Sequence, residues 1–283
     1  MPLVRMTELL NDARNNRYAI AAFECWGSAN IHAISQGAAE CGMPVIFQAS
    51  PTEYGIMGGP EILRKVVETY VNFTGITAAL HLDHATTLQQ IELCVKAGFT
   101  SVMLDASRKH FNENLALSKA AAKIAHQHSI CIEAELGHVG GLEGAIEESE
   151  HDLDCLTDPD EAIEFVRETG IDCLAVGIGT VHGDYKGEPK INLERLKEIS
   201  AVIDIPLVLH GGSGTPEDII RKAIRLGISK INICTEIHKS WLEGVALAKK
   251  ELTPSIPGKF YQPAHNMLKE KVIEIIKLFT NIQ

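Results

Sequence analysis

What this sequence lacks removes most function classes before any motif is weighed. No stretch comes near the roughly 18 uncharged apolar residues that a bilayer-spanning helix requires, although 45% of the chain is apolar. The opening residues, MPLVRMTELLNDARNN, turn polar too early for the apolar region of a secretory signal. A soluble, cytoplasmic protein with no membrane partner is therefore expected. The seven cysteines (Cys25, Cys41, Cys94, Cys131, Cys155, Cys173 and Cys234) stand singly and include no Cys-x-x-Cys pair. That spacing argues against a disulfide framework or a thiolate zinc cluster and leaves buried, reduced thiols. No run of lysine and arginine relieves a formal charge of −11, which argues against nucleic acid as a partner. Anionic metabolites stay open, because a pocket of backbone N–H groups binds phosphate whatever the global charge.

A Gly-rich turn after the first apolar run is also missing: the chain reads Phe23-Glu24-Cys25-Trp26-Gly27, against an open doubly wound sheet. No low-complexity linker or charge block divides the chain. What is present is a rhythm of short apolar runs alternating with longer segments of helical period, which reads as consecutive βα units. Eight runs are found, at Ala19–Phe23, Pro44–Ala49, Ala78–Asp83, Ser101–Asp105, Cys131–Glu135, Cys173–Gly177, Pro206–His210 and Lys230–Cys234. Helical patterns between them include Pro60–Thr74, Asn112–His128, Asp160–Thr169 and Pro216–Leu226, several opened by Pro or Asp as helix starts require. The expected fold is α/β, a single (β/α)8 TIM barrel over residues 1–283 with an extra C-terminal helix from about Gln262. The apolar positions Met267, Val272, Ile275 and Ile276 of that helix pack either on its own barrel or on a second subunit.

One connection is abnormally long. After Glu135 comes LGHVGGLEGAIEESEHDLDCLTDP, and loops of that length are functional or disordered. It follows the fifth strand and so emerges at the C-terminal face, where barrel enzymes place their active sites.

Polar residues collect at the C-terminal ends of the runs. The third ends in His81-Leu82-Asp83-His84, the fourth in Asp105, the fifth in Glu133-Ala134-Glu135 and the seventh in His210; the eighth carries Asn232, and His182 lies just beyond the sixth. An isolated histidine is more often a hydrogen-bonded structural residue than a ligand. Three on one rim are different, because catalytic zinc takes three protein ligands and keeps one position open. His84, His182 and His210 are the expected metal ligands. His126 and His128 sit on a helix, His238 and His265 lie away from strand ends, and His138 is in the long loop. His81, two residues below Asp83, packs in the barrel or supports the site.

A second constellation is His210-Gly211-Gly212-Ser213-Gly214-Thr215-Pro216-Glu217, a strand end passing through glycines into a helix. Such a turn lets backbone N–H groups approach a phosphate, or serves only as a connector. Donors near Gly177–Gly183 and Asn232–Thr235 support the first reading, since barrels often bind phosphate near strands 7 and 8. A metal beside a phosphate site suggests polarisation of a carbonyl on a phosphorylated sugar, which calls for acid–base groups. Asp83 precedes a metal ligand and reaches a hydroxyl of the substrate. Glu143 lies in a Gly-flanked loop that either folds over the site or leaves it as a solvated carboxylate.

With those residues in place, the chain resembles the class II, zinc-dependent ketose-bisphosphate aldolase family, which includes fructose- and tagatose-bisphosphate aldolases. The likeness runs from Tyr18-Ala19-Ile20-Ala21-Ala22-Phe23 to the terminal helix. Its most specific marks are His81-Leu82-Asp83-His84, Ser101-Val102-Met103-Leu104-Asp105-Ala106-Ser107, Glu133-Ala134-Glu135-Leu136-Gly137, Val181-His182-Gly183, Leu209-His210-Gly211-Gly212-Ser213-Gly214 and Lys230-Ile231-Asn232.

The resemblance implies one zinc ion on His84, His182 and His210, with Glu135 as an alternate contact. It implies Asp83 at the C4 hydroxyl, Glu143 at the enediol carbon, and a dihydroxyacetone-phosphate cradle of Gly183, Gly211, Gly212, Ser213 and Thr235, with Asn232 on the enediolate. Ser50 and Lys186 join the substrate-binding set. A monovalent cation near the phosphate loop and a homodimer or homotetramer are family expectations as well. The competing aldolase chemistry needs a buried Schiff-base lysine, and no strand offers one; Lys230 is expected to begin the eighth strand, at the end remote from catalysis.

Two departures bear on substrate. The family usually has asparagine after the Ala-Phe of the first strand, where this chain has Glu24. A Pro-Arg-Lys-Tyr-like run for a distal phosphate is replaced by Pro257-Gly258-Lys259-Phe260-Tyr261. Glycine does not replace an arginine's paired hydrogen bonds, though Lys186 or Lys259 could offset part of the loss. The expectation is that dihydroxyacetone phosphate is retained as one product while the aldehyde differs from glyceraldehyde 3-phosphate. Two rivals are a non-catalytic accessory barrel, which has no need of an open metal site, and a zinc hydrolase, which usually carries His-x-His on strand 1.

Overall fold

Alternation along each strand decides which side chains meet the helices and which face the barrel axis. The computed structural model describes residues 3–141, 156–185, 187–251, 259 and 261–280. Its strands are β1 (Ile20–Glu24), β2 (Val45–Ala49), β3 (Ala78–Ala85), β4 (Ser101–Leu104), β5 (Cys131–Leu136), β6 (Gly140–Gly141), β7 (Cys173–Val176), β8 (Val181–His182), β9 (Leu207–Leu209) and β10 (Ile228–Ile233). Eight of them close into a parallel barrel in the order β1-β10-β9-β7-β5-β4-β3-β2, and β6 pairs with β8 as a separate two-stranded sheet. Closure is made by the first and last strands, with Ile20 opposite Lys230 and Ala22 opposite Asn232. Each of the eight runs expected from the sequence is a barrel strand.

Eleven helices lie among the described residues: α1 (Met6–Asn16), α2 (Ser28–Cys41), α3 (Pro51–Ile56), α4 (Pro60–Thr74), α5 (Leu88–Ala97), α6 (Phe111–Gln127), α7 (Pro159–Thr169), α8 (Leu193–Val202), α9 (Glu217–Arg225), α10 (Thr235–Glu251) and α11 (Gln262–Thr280). Their starts follow local chemistry. Thr87 and Gln90 form a reciprocal capping box at α5. At α7, Asp158 accepts the N–H groups of Asp160 and Glu161 ahead of Pro159 in the first turn. Leu63, Val67 and Val71, four residues apart, form the buried stripe of α4.

Two apolar layers result. Ala21, Phe23, Phe47, Leu80, Leu82, Val102, Ile132 and Leu174 join the outer layer under the helices. Their alternates Ile20, Ala22, Ile46, Ala79, Cys131, Cys173 and Val208 cluster with Met6, Leu10 and Ala13 of α1. α1 therefore closes the end of the barrel at which the strands begin. Higher in the interior the alternates become polar: His81, Asp83, Glu133, Glu135, Lys230 and Asn232 are all buried.

α11 settles the choice left open for the C-terminal helix: Val272, Ile275 and Ile276 are buried in the molecule's own core. Close approach permits this, since a Cβ on Gly244 of α10 would stand 2.3 Å from Ala264 Cα. No helix among the described residues is long and apolar enough to cross a membrane. A cleft of about 210 Å³ lined by Arg14, Arg17, Tyr18 and Arg225 opens beside the first residues of β9 and β10, at the opposite end from the polar strand ends.

Candidate active site

The strand ends bring His84, His182 and His210 together. Their ring centroids are 4.7 Å apart for His84 and His210, 5.3 Å for His84 and His182, and 6.0 Å for His182 and His210, each pair near perpendicular. One ligand nitrogen from each lies within 4.8 Å of the others. His84 reaches this position at a cost. It sits where the register between β3 and β4 shifts, with φ of 44°, a left-handed conformation that costs a non-glycine residue about 1–3 kcal/mol and persists only where the surroundings enforce it.

Carboxylates fix which nitrogen each ring can offer. His84 Nδ1 is 2.9 Å from Asp105 Oδ2, and Asp105 is itself held by the backbone and hydroxyl of Ser107 at 3.0 and 2.7 Å. Burial works against a charged Asp105, but His84 and Ser107 outweigh it and hold the carboxyl well below the usual range. His210 Nε2 is 2.8 Å from Glu133 Oε1. His84 Nε2 and His210 Nδ1 are then the nitrogens left for an ion, the arrangement that second-shell carboxylates impose on metal-bound histidine. His210 Nδ1 is buried with no hydrogen bond and lies 3.3 Å from Glu135 Oε2. Glu135 Oε1 accepts the Val139 N–H at 3.2 Å. A second grouping, His84, Asp105 and Glu135, also brings ligand atoms within 4.8 Å.

Charge balance points the same way. Asp83, Glu133 and Glu135 are buried against a single buried lysine, Lys230, among the described residues, and such an excess of carboxylates suits a cation. The donor set, imidazole nitrogen with carboxylate oxygen, fits zinc chemistry.

Lys230 corrects the sequence reading. β10 begins at Ile228, so Lys230 is its third residue and points into the interior beneath the histidines. Its Nζ is 2.8 Å from Glu133 Oε2 and 3.4 Å from His81 Nε2. Burial alone would lower its pKa, yet Glu133 and Asp83 raise it, which keeps it a cation. Burial raises Glu133, but Lys230, His210 and His81 bring it well below the carboxylate range. His81, burdened by burial and by Lys230, is held well below the ordinary histidine value and packs in the barrel with Nδ1 2.7 Å from Ser101 Oγ.

Asp83 occupies the centre of a belt across four strands. Gln48 Nε2 donates to Asp83 Oδ2 at 2.8 Å and to Glu24 Oε2 at 3.2 Å, and Asn232 Nδ2 donates to both Asp83 oxygens at 3.2 Å. Glu24 also accepts the Ser50 N–H at 3.2 Å. Burial, then Asp83 and Glu53, push Glu24 well above the carboxylate range. Ser50 is chiefly a cap: its Oγ accepts the Thr52 N–H at 3.2 Å and bonds Glu53.

The glycine turn after β9 is built for close approach. A Cβ on Gly211, at φ of 65°, would lie 2.4 Å from Val181 O, and one on Gly212 would lie 2.4 Å from Ile231 Cγ2. Several of its groups already have partners. Gly212 N–H goes to Asn232 O at 3.2 Å, and Gly214 N–H to the Glu236 carboxylate at 3.1 Å. Ser213 Oγ accepts the N–H groups of Cys234 and Glu236 at 3.3 Å, at the start of α10 where Thr235 lies. Gly183 follows β8 at φ of 89°. Lys259 is exposed; Glu143, Lys186 and Gly258 lie outside the described residues.

Gln48, Glu133 and Ser107 were not singled out in the sequence as parts of the site. Period-two spacing carried the signal for Glu133. Glu133 is one alternation below Glu135, and Gln48 stands opposite Glu24 in register.

A family model described as class-II fructose-bisphosphate aldolase matches residues 4–283. A probable fructose-bisphosphate aldolase of Bacillus subtilis (strain 168) is 41% identical, over 99% of this chain and 98% of its own. A fructose-bisphosphate aldolase of Staphylococcus aureus (strain Mu50) is 39% identical over the same shares. Among solved structures, the YdjI aldolase of Escherichia coli K12 superposes with a TM-score of 0.86 at 34% identity, covering 98% of this chain and 97% of that one. A putative fructose-1,6-bisphosphate aldolase of Coccidioides immitis gives 0.87 at 27% identity, covering 97% and 96%.

Proposed function

Since the chain belongs to the class II fructose-bisphosphate aldolase family and is thereby an aldolase, a carbon–carbon lyase, we propose that it reversibly cleaves a ketose 1-phosphate or 1,6-bisphosphate to dihydroxyacetone phosphate and an aldehyde, using zinc held by His84, His182 and His210. The observation that carries the reading is the convergence of three imidazoles, two of them each oriented by a carboxylate. Neither an accessory subunit nor a hydrolase finds support in the comparisons.

A divalent ion bound there supplies Lewis-acid polarisation of the ketose carbonyl. Asp83, steadied by Gln48 and Asn232, takes the proton from the C4 hydroxyl; the O–H electrons form the new aldehyde, the C3–C4 bond breaks, and its pair stays with the triose half. Glu143 then gives a proton to C3 of the enediol. Glu135 serves as an alternate ion contact. Gly183, Gly211, Ser213 and Thr235 receive the 1-phosphate by backbone and hydroxyl donors, with Gly212 lining the turn, Asn232 beside the triose and a monovalent cation near the phosphate. Ser50, Lys186 and Lys259 flank the aldehyde half, and Gly258 removes the arginine a distal phosphate would use. The chain works as one domain over residues 1–283, in a cytoplasmic homodimer or homotetramer.

The test is triose-phosphate release from fructose and tagatose 1-phosphates and 1,6-bisphosphates, before and after chelation. Activity lost on chelation and restored by zinc is the expected result; activity indifferent to chelation would sink the metal assignment.

A further inference from the structure

Among the described residues, the part of the mouth between β1, β2 and β3 offers acceptors and no bonded lysine or arginine. Gln48 Nε2 donates to two carboxyl groups, so its amide cannot be turned round without setting oxygen against oxygen. Gln48 Oε1 therefore faces elsewhere, and it is buried with no hydrogen bond. Asn232 repeats the pattern: Nδ2 serves Asp83, and Oδ1 is buried with no hydrogen bond. A buried acceptor left unmade costs about 1–3 kcal/mol, so these two oxygens call for a ligand that brings O–H groups.

Beside them lie Glu24 and, from α3, Glu53. Among the described residues no lysine or arginine forms a hydrogen bond or ion pair with either of them. Burial and the neighbouring carboxylates favour the protonated form of Glu24, which both donates to and accepts from a hydroxyl. Trp26, two residues past the end of β1, packs against His238 of α10 with ring centroids 4.1 Å apart and planes tilted at 60°. Burial lowers the pKa of His238, which favours its neutral form. The surroundings are a carboxylic acid, two carboxamide oxygens and an aromatic wall.

We propose that this region is the aldehyde subsite and that it takes an uncharged polyhydroxylated chain, with Glu24 as the residue that selects it against a terminal phosphate. The inference rests on the aldolase reading and names the substrate class within it, a ketose 1-phosphate without a second phosphate. A hydroxyl of such a chain satisfies Gln48 Oε1, while Asn232 Oδ1, beside the triose, is met by a hydroxyl of the triose half. A phosphate dianion would meet acceptors, Asp83 and Glu53, and among the described residues no lysine or arginine is bonded to Glu24 or Glu53 to offset them.

The experiment runs the reaction in the direction of synthesis. The zinc-loaded enzyme is given dihydroxyacetone phosphate with glyceraldehyde 3-phosphate, glyceraldehyde, or unphosphorylated tetroses and pentoses, and kcat/KM is compared. Solvent-proton exchange into dihydroxyacetone phosphate alone is followed in parallel and reports the triose half independently. At least a 10-fold preference for an uncharged aldehyde is expected, and Glu24→Asn should move the ratio toward glyceraldehyde 3-phosphate by 10-fold or more. Glu24→Gln, close in shape, provides a second reading should the shorter side chain fail to fold. Exchange with a wild-type preference for glyceraldehyde 3-phosphate overturns the subsite and leaves the aldolase reading intact. An unchanged ratio in both variants removes Glu24 as the selector. Absence of exchange overturns the triose assignment and the subsite with it.

Discussion

The hydrogen bonds from His84 to Asp105 and from His210 to Glu133 do more for the site than their number suggests, because each decides which lone pair a histidine presents. Glu133→Gln keeps the shape and loses the charge, and such outer-shell changes cost about 10–100-fold in metal affinity. Competition with a chromogenic chelator should show that loss even if the fold is unaffected; an unchanged affinity would mean that Glu133 serves Lys230 alone. Lys230 carries a different burden. Lys230→Met strands Glu133 as an uncompensated buried charge, for which about 3–5 kcal/mol of destabilisation is expected, read from the denaturant midpoint. Among the thiols, burial pushes Cys94 up to about 12. At pH 8 its thiolate fraction is then on the order of 10⁻⁴, so iodoacetamide should leave Cys94 unlabelled in the native protein and label it rapidly after unfolding. Fast native labelling would show that α5 opens.

At the scale of elements, the strands were legible because parallel barrel strands are buried on both faces and read as apolar runs. The histidines were legible because polar residues at the ends of such runs stand out. Lys230 was misplaced because Ser229 interrupts the apolar signal, which hid the first two residues of β10. The belt from Glu24 through Gln48 to Asp83 depends on which residues stand opposite one another across three strands, and a single sequence does not display that register. Counting the glycine turn as a row of available donors also went too far, since Gly212 and Gly214 spend their N–H groups inside the protein. Glu236 accepts from the latter, as a phosphate oxygen would. Glu236→Gln should therefore tighten inhibition by inorganic phosphate several-fold, and weaker inhibition would place the phosphate elsewhere. Packing of α11 can be probed separately. Gly244→Ala puts a methyl against Ala264, and overpacking of that kind costs about 1–3 kcal/mol, visible as a lowered melting temperature.

For the molecule as a whole, an ion that binds only the folded chain must also stabilise it. At 100 times the dissociation constant the gain is about 2.7 kcal/mol, so the melting temperature should climb with zinc concentration and cease to do so in His84→Ala. A flat titration in the wild-type protein would remove the resident ion from the scheme. The α1 stopper adds a kinetic side to this. Met6, Leu10 and their neighbours seal the barrel floor, so among the described residues an ion on the three histidines has no rear exit and leaves by the mouth that sugar and products use. Whatever occupies that mouth then controls departure of the ion, and bound triose phosphate should slow stripping by a chelator in proportion to its occupancy.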